Sequence, residues 1–389
     1  MTTTVLYEPM DPATLADPYS VYHALRSSAP VFWHDRLESW ILTRYRDCLA
    51  VLQDVHTFAA DPRRGGQDVP ESKLTVQFLD PPEQVPVRRM FISALRGQDM
   101  DAICARAEKM LAARFARLAG EPVFDFVTEV GNPLALFTIC ALMGIDEPDQ
   151  EQFTALSDAV VYRMDTSLAP PGRPRSTVSI PQELDRVAAG WFDTIGETGV
   201  IGAVKRALAA QSGTVPEDLV RNTARIMLMS GFGSPAAAAG NAMLALLRHP
   251  GTLAAFADPA LLETGIDELM RYDGPVQGSS RTVTGTIEFD GRTLRQGELV
   301  TTLFGAANHD PDQFHAPDQL VLDRSPNRHL GFGWGPHVCI GARFTQLVLR
   351  SMVRALRSWP QPLVLAGEPA HWPSATVRYL RSLPVSFAR

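Results

Sequence analysis

Helical spacing dominates the pattern of apolar and polar positions along the chain, broken by a few stretches of strand-like alternation. Apolar residues at intervals of three and four predict helices at 18–28, 46–54, 101–119, 122–143 and 149–163. The stretch SWILTRY at 39–45 reads as a strand, and Asp80-Pro81-Pro82 as a turn that feeds another helix. Residues 216–248 stay mostly apolar through AAAAGNAMLALLR, which predicts a long, central, buried helix. Beyond 275 the period changes. SRTVTGTIEFDGRTLRQGELVTTLFGAAN alternates about Asp290-Gly291, a strong hairpin signal. The proline-rich stretch MDTSLAPPGRPRSTVSIP at 164–181 reads equally well as a lid over a buried site or as an ordinary linker. With no internal repeat and no low-complexity segment, residues 1–389 are expected to form one mainly α domain with small β-sheets.

Composition narrows the function classes. The chain has 389 residues, 45% hydrophobic and 20% charged, the balance of an ordinary globular protein. Its opening, MTTTVLYEPMDPATLADPYS, has neither a basic nor an apolar leader segment, and no later run is long enough to span a bilayer. A cytoplasmic monomer with no membrane association is therefore expected. A net charge of -7 argues against nucleic acid as a partner, because phosphate binding needs a basic surface. Of the four cysteines at 48, 104, 140 and 339, none falls in a CxxC pair, and Cys104 and Cys140 sit in apolar helical patterns that suit core packing.

Cys339 differs, lying in HLGFGWGPHVCIGARF among Gly331, Gly333, Gly335 and Gly341. A dinucleotide turn would need a preceding strand, G-x-G-x-x-G and a later acid, none of which is present. A nucleophilic cysteine would need a base brought to it by the fold, and His337 stands only two positions away. Ligation of a metal by one thiolate remains: glycines let the backbone approach a flat cofactor and turn amide N–H groups toward sulfur.

FGWGPHVCIG at 332–341 resembles the cysteine loop F-G-x-G-x-H-x-C-x-G of the cytochrome P450 family at every fixed position. Glu268 and Arg271 in DELMRY resemble that family's E-x-x-R pair, and LDPPEQVPVRR at 79–89 its D-P-P-E-H-T-x-x-R-R helix. The resemblance implies the haem-thiolate fold, with a long central helix over the cofactor and the cysteine loop beneath it. It implies haem b with Cys339 as metal ligand, and Phe332, Gly333 and Gly341 shaping the loop around it. Arg88, Arg281 and His337 would meet the propionates, with Gln84 at a position usually held by histidine. Charge-assisted bonds from arginine to carboxylate suit that task. A thiolate on haem iron favours O–O cleavage.

The central helix departs from the pattern. Members usually carry A-G-x-(D/E)-T-(T/S) there, an acid and an alcohol that relay protons toward the reacting oxygen; this chain has Ser230-Gly231-Phe232-Gly233-Ser234-Pro235. Ser234 keeps a hydroxyl, Gly233 replaces the acid, and Pro235 is expected to bulge or kink the helix. Phe232, Phe78, Val276 and Gln277 are the expected pocket wall. The reading is an oxidoreductase that hydroxylates a small natural-product substrate using O2. Electrons would come from a ferredoxin or flavodoxin and its reductase, docking on Arg343 with Arg324 or Arg328. Oxidative coupling or ring closure without oxygen insertion, and a haem-containing recruitment protein with little turnover, are the alternatives that Gly233 leaves open.

Overall fold

The computed structural model describes residues 7–71, 74–165, 198–210 and 215–388. The possible lid lies, from residue 166 on, outside the described residues.

The organising element is the helix Glu217–Arg248, in which the run Pro235–Leu246 is buried. A helix apolar on every side must be enclosed by others. Asn132–Met143, Gln150–Met164, Pro259–Asp273 and Ala342–Ser358 pack on it, and Met100–Leu118 packs behind the last of these. Their inner side chains merge into one apolar core that includes Leu134, Ile139, Phe153, Ala239, Met243 and Val348.

Pro235 does not interrupt this helix, which runs unbroken from Glu217 to Arg248. The expected bulge is absent. Proline removes one N–H and so leaves the Gly231 carbonyl without its partner four residues on, but the helix stays held on both sides by packing. The stretch 122–143 is corrected as well. It opens with a short strand, Phe124–Asp125, passes through a π-helical turn, Val127–Gly131, and only then becomes the helix Asn132–Met143.

The β part lies to one side of the helices. Its five-stranded sheet has the order Val31–His34, Ser39–Leu42, Leu299–Leu303, Gly278–Val283, Phe58–Ala59. The predicted hairpin pairs Ile287–Phe289 with Arg292–Leu294, and its two turn residues, Asp290 and Gly291, have φ of 50° and 70°. Both angles belong to the primed turn that matches strand twist.

One buried ion pair ties the helices to the cysteine loop. Arg271 Nε and Nη2 each donate to a Glu268 carboxylate oxygen at 2.8 Å, and both side chains are fully buried. Arg324 Nε donates to the same carboxylate at 2.9 Å. Arg271 also donates to the carbonyls of Asn308, Pro317 and Gln319, so the chain leading into the loop is pinned by charge-assisted bonds.

Candidate active site

A cavity of about 340 Å³ lies between the central helix and the cysteine loop. Its roof is one face of the helix: Ile226, Met227, Ser230, Gly231, Ser234 and Pro235, repeating every four residues. Its floor is Phe332, Gly333 and Val338–Gly341. The sequence positions the floor in two ways. Gly333 and Gly335 have φ of 67° and 69°, and a Cβ on Gly335 would come within 2.5 Å of the Leu52 carbonyl oxygen, so only glycine fits there. The Cys339 amide donates to the Phe332 carbonyl at 2.8 Å, which folds the loop back beneath the cavity.

Cys339 is exposed into this cavity, immediately before the helix Ala342–Ser358. Burial of its surroundings pushes the thiol up, while the Gly341 amide and the Arg88 guanidinium oppose that shift by favouring the thiolate. The positive end of the following helix acts in the same direction.

Two cations approach the same cavity, Arg281 buried and Arg88 half-buried. Arg281 donates through Nη1 to Ser279 Oγ and the Ser280 carbonyl, both at 2.8 Å, and its Nε has no hydrogen-bond partner. Arg88 donates through Nη2 to the Val338 carbonyl at 2.5 Å. Burial lowers the pKa of each, and neither is salt-bridged to a described carboxylate. A buried guanidinium with an unsatisfied N–H is costly unless an anion arrives. Two such cations beside a lone thiolate fit a flat, metal-bearing group with acidic side arms.

Other expected site residues are placed differently. His337 lines the cavity, but its Nε2 lies 2.8 Å from Asp80 Oδ1 and its Nδ1 3.0 Å from Gln84 Nε2, so both ring nitrogens are engaged by protein. Gln84 thus supports His337 from behind rather than lining the cavity. Asp80 was not foreseen. Burial works against its charge, yet the bonds from His337 and from the Asp61 and Ala60 amides hold it below the usual carboxylate range. Val276 lines the cavity. Gln277 turns away, its Nε2 donating to the Gly274 carbonyl and its Oε1 accepting from Tyr22. Phe78 is 46% exposed and forms no part of the wall. Phe232 points to the opposite side of the helix and packs edge-on to Phe153, with ring centroids 5.1 Å apart. Gly233 shares that opposite side and borders a second, smaller cavity. Arg324 is buried in the Glu268 cluster and cannot form a docking surface, whereas Arg328 and Arg343 are exposed.

The sequence matches the cytochrome P450 family model over residues 216–357. It is 28% identical to the cytochrome P450 monooxygenase PikC of Streptomyces venezuelae, over 96% of this chain and 92% of that protein. It is 29% identical to the mycinamicin VIII C21 methyl hydroxylase of Micromonospora griseorubida, over 91% of each. In structure it resembles CalO2, with a TM-score of 0.84, 26% identity and 99% of both chains covered. The chain belongs to the cytochrome P450 family. It is a cytochrome P450 monooxygenase-type oxidoreductase, and its cofactor is haem b. This P450 has, among the described residues, no helix long and apolar enough to cross a membrane.

Proposed function

We propose that this P450 hydroxylates a small natural-product molecule bound between Ser234 and the cysteine loop, using O2 and electrons from a ferredoxin or flavodoxin system. The observation that carries the reading is the shared cavity, with Cys339 in its floor and the hydroxyl-bearing face of the central helix in its roof.

Bound there, haem b supplies the oxidising chemistry. Cys339 would supply the thiolate that holds its iron. Arg281, through its open Nε, and Arg88 would hold the acidic side arms, which would give the buried Arg281 guanidinium the anion it lacks. Asp80 and Gln84 fix the ring of His337 at the rim. The substrate's apolar surface is held by Ile226, Met227, Val276 and Pro235, and their packing excludes water from the reacting carbon. Ser234 is the hydroxyl of the roof from which a proton can pass toward the reacting oxygen.

The relatives PikC and the mycinamicin VIII C21 methyl hydroxylase support a hydroxylase reading, as does the apolar wall. An optical titration of the ferric protein against macrolactones, fatty acids, small aromatic acids and cyclic dipeptides tests it. A fitting substrate is expected to blue-shift the Soret band and, under isotopically heavy O2, to yield a product carrying one heavy oxygen. A product that is coupled or cyclised, with no label, would contradict oxygen insertion.

A further inference from the structure

Pro235 leaves a mark on the wall of the main cavity. In the unbroken helix Glu217–Arg248 the Gly231 carbonyl would accept from the amide of residue 235, and Pro235 has no N–H to give. Gly231 and Pro235 both line the main cavity, so the seam where that hydrogen bond is missing faces the substrate space. Glycine can line a cavity only with its backbone. A Cβ at position 231 would come within 2.4 Å of Ile139 Cδ1, so the position is kept bare and no side chain of its own covers the carbonyl.

Two hydroxyls flank this seam. Ser230 and Ser234 line the same cavity from the same helix face, and neither side chain makes a hydrogen bond among the described residues. A serine inside a helix commonly turns its hydroxyl back onto a carbonyl three or four residues earlier. Ser234 does not, so its hydroxyl and the Gly231 carbonyl both stay open to the cavity. The wall around them is apolar, with Ile139, Leu142, Ile226, Met227 and Phe344. An unpaired backbone acceptor beside such a wall is costly unless a donor meets it. The chemistry of the patch is directional. A serine hydroxyl can donate or accept, whereas a backbone carbonyl only accepts. The seam therefore distinguishes a ligand that brings an O–H from one that brings only lone pairs.

We propose that the Gly231 carbonyl, freed by Pro235, is a specificity-determining acceptor of the substrate site, and that the substrate is an apolar molecule carrying a free hydroxyl that donates to it. This rests on the monooxygenase reading above and narrows it to a substrate class. No bond is made or broken at this contact; it binds and orients the molecule, and oxidation takes place at another carbon. An analogue with a ketone or an ether in place of the hydroxyl leaves the carbonyl without a donor. A site built to hydrogen-bond a substrate hydroxyl rejects such analogues more strongly than an apolar pocket rejects a change of size. Pro235 is then the device that exposes the acceptor, which gives an interior proline a function to set against its cost.

The test compares ring probes that share one carbon skeleton, cyclododecanol, cyclododecanone and cyclododecyl methyl ether, by calorimetry and by the Soret shift of the haem-loaded ferric enzyme. The alcohol is expected to bind about 10-fold tighter than the ketone or the ether. Pro235→Ala and Pro235→Val both return an N–H to the Gly231 carbonyl, the second while keeping most of the ring's bulk. Each should reduce the preference for the alcohol to about 2-fold or less, with affinity for the ketone little changed. Ser234→Ala removes a hydroxyl that serves alcohol and ketone alike, so it should weaken both and keep their ratio. The thiolate spectrum of the reduced carbon monoxide complex checks that each variant is folded around its haem. Equal affinities for alcohol and ketone in the wild type would overturn the proposal, and a water held permanently on the carbonyl would give that result. A preference that survives in both Pro235 variants would overturn it as well. A bound alcohol that is never oxidised would count against the monooxygenase reading alone, because the preference is measured without turnover.

Discussion

Asp80 shows how much of the site depends on residues that carry no chemistry themselves. It accepts from His337 at 2.8 Å and from the amides of Ala60 and Asp61 at 3.2 Å each. Burial alone would raise its pKa, but these bonds outweigh desolvation and hold it below the usual carboxylate range. The sign of the linkage follows. With its folded pKa depressed, Asp80 stabilises the protein fully above the unfolded value of about 4, and that contribution is lost as pH falls through the folded value. Asp80→Asn is therefore expected to cost about 2 kcal/mol at pH 7, with the gap to wild type closing in acid, as read from denaturant titrations at several pH values. The role of Asp80 was hidden because only the fold brings it to His337. The sequence pattern at 332–341 did single out Cys339, since glycines at fixed spacing around one thiol have few other uses. Phe232 and Gly233 were placed over the cofactor by motif alignment. A four-residue step along the helix from Ser230 to Ser234 would have put both on the other face.

Among the elements, the central helix was the most legible, since a run of apolar residues as long as 216–248 has few alternatives to burial. Its behaviour at Pro235 was not. Local rules give the intrinsic cost of an interior proline, about 3 kcal/mol, but not the packing that holds the helix through it. That cost is still present. Pro235→Ala returns an N–H to the Gly231 carbonyl and removes the ring crowding, at the loss of some buried methylene surface. The variant is expected to be more stable by about 1–2 kcal/mol, seen as a higher denaturant midpoint at unchanged slope. A lower midpoint would mean that the ring is packed into the cavity roof more tightly than a hydrogen bond can offset. The misread start of 122–143 has a similar origin. Helical spacing continues through residues 124–131, but Phe124 and Asp125 pair with Val385 and Pro384 near the far end of the chain, a partner no local window contains.

At the scale of the molecule, net charge conceals a local surface. Despite a total of -7, Arg328 and Arg343, which flank the cysteine loop in the sequence, are both exposed. Acidic carriers are steered by such patches, mostly through the association rate. Arg343→Glu is expected to slow reduction of the iron by about 10-fold at low salt, less at high salt, with unchanged substrate affinity in the optical titration. An unaltered rate would place the carrier elsewhere. All of this depends on one assignment, the ligation of haem iron by Cys339. The measurement that tests it most directly is the absorption spectrum of the reduced protein with carbon monoxide, taken beside Cys339→His. The wild type is expected to show the red-shifted Soret band of thiolate ligation, and the variant to bind haem while losing that band. A wild-type spectrum of the imidazole-ligated kind, or a thiolate band that survives the substitution, would contradict the account.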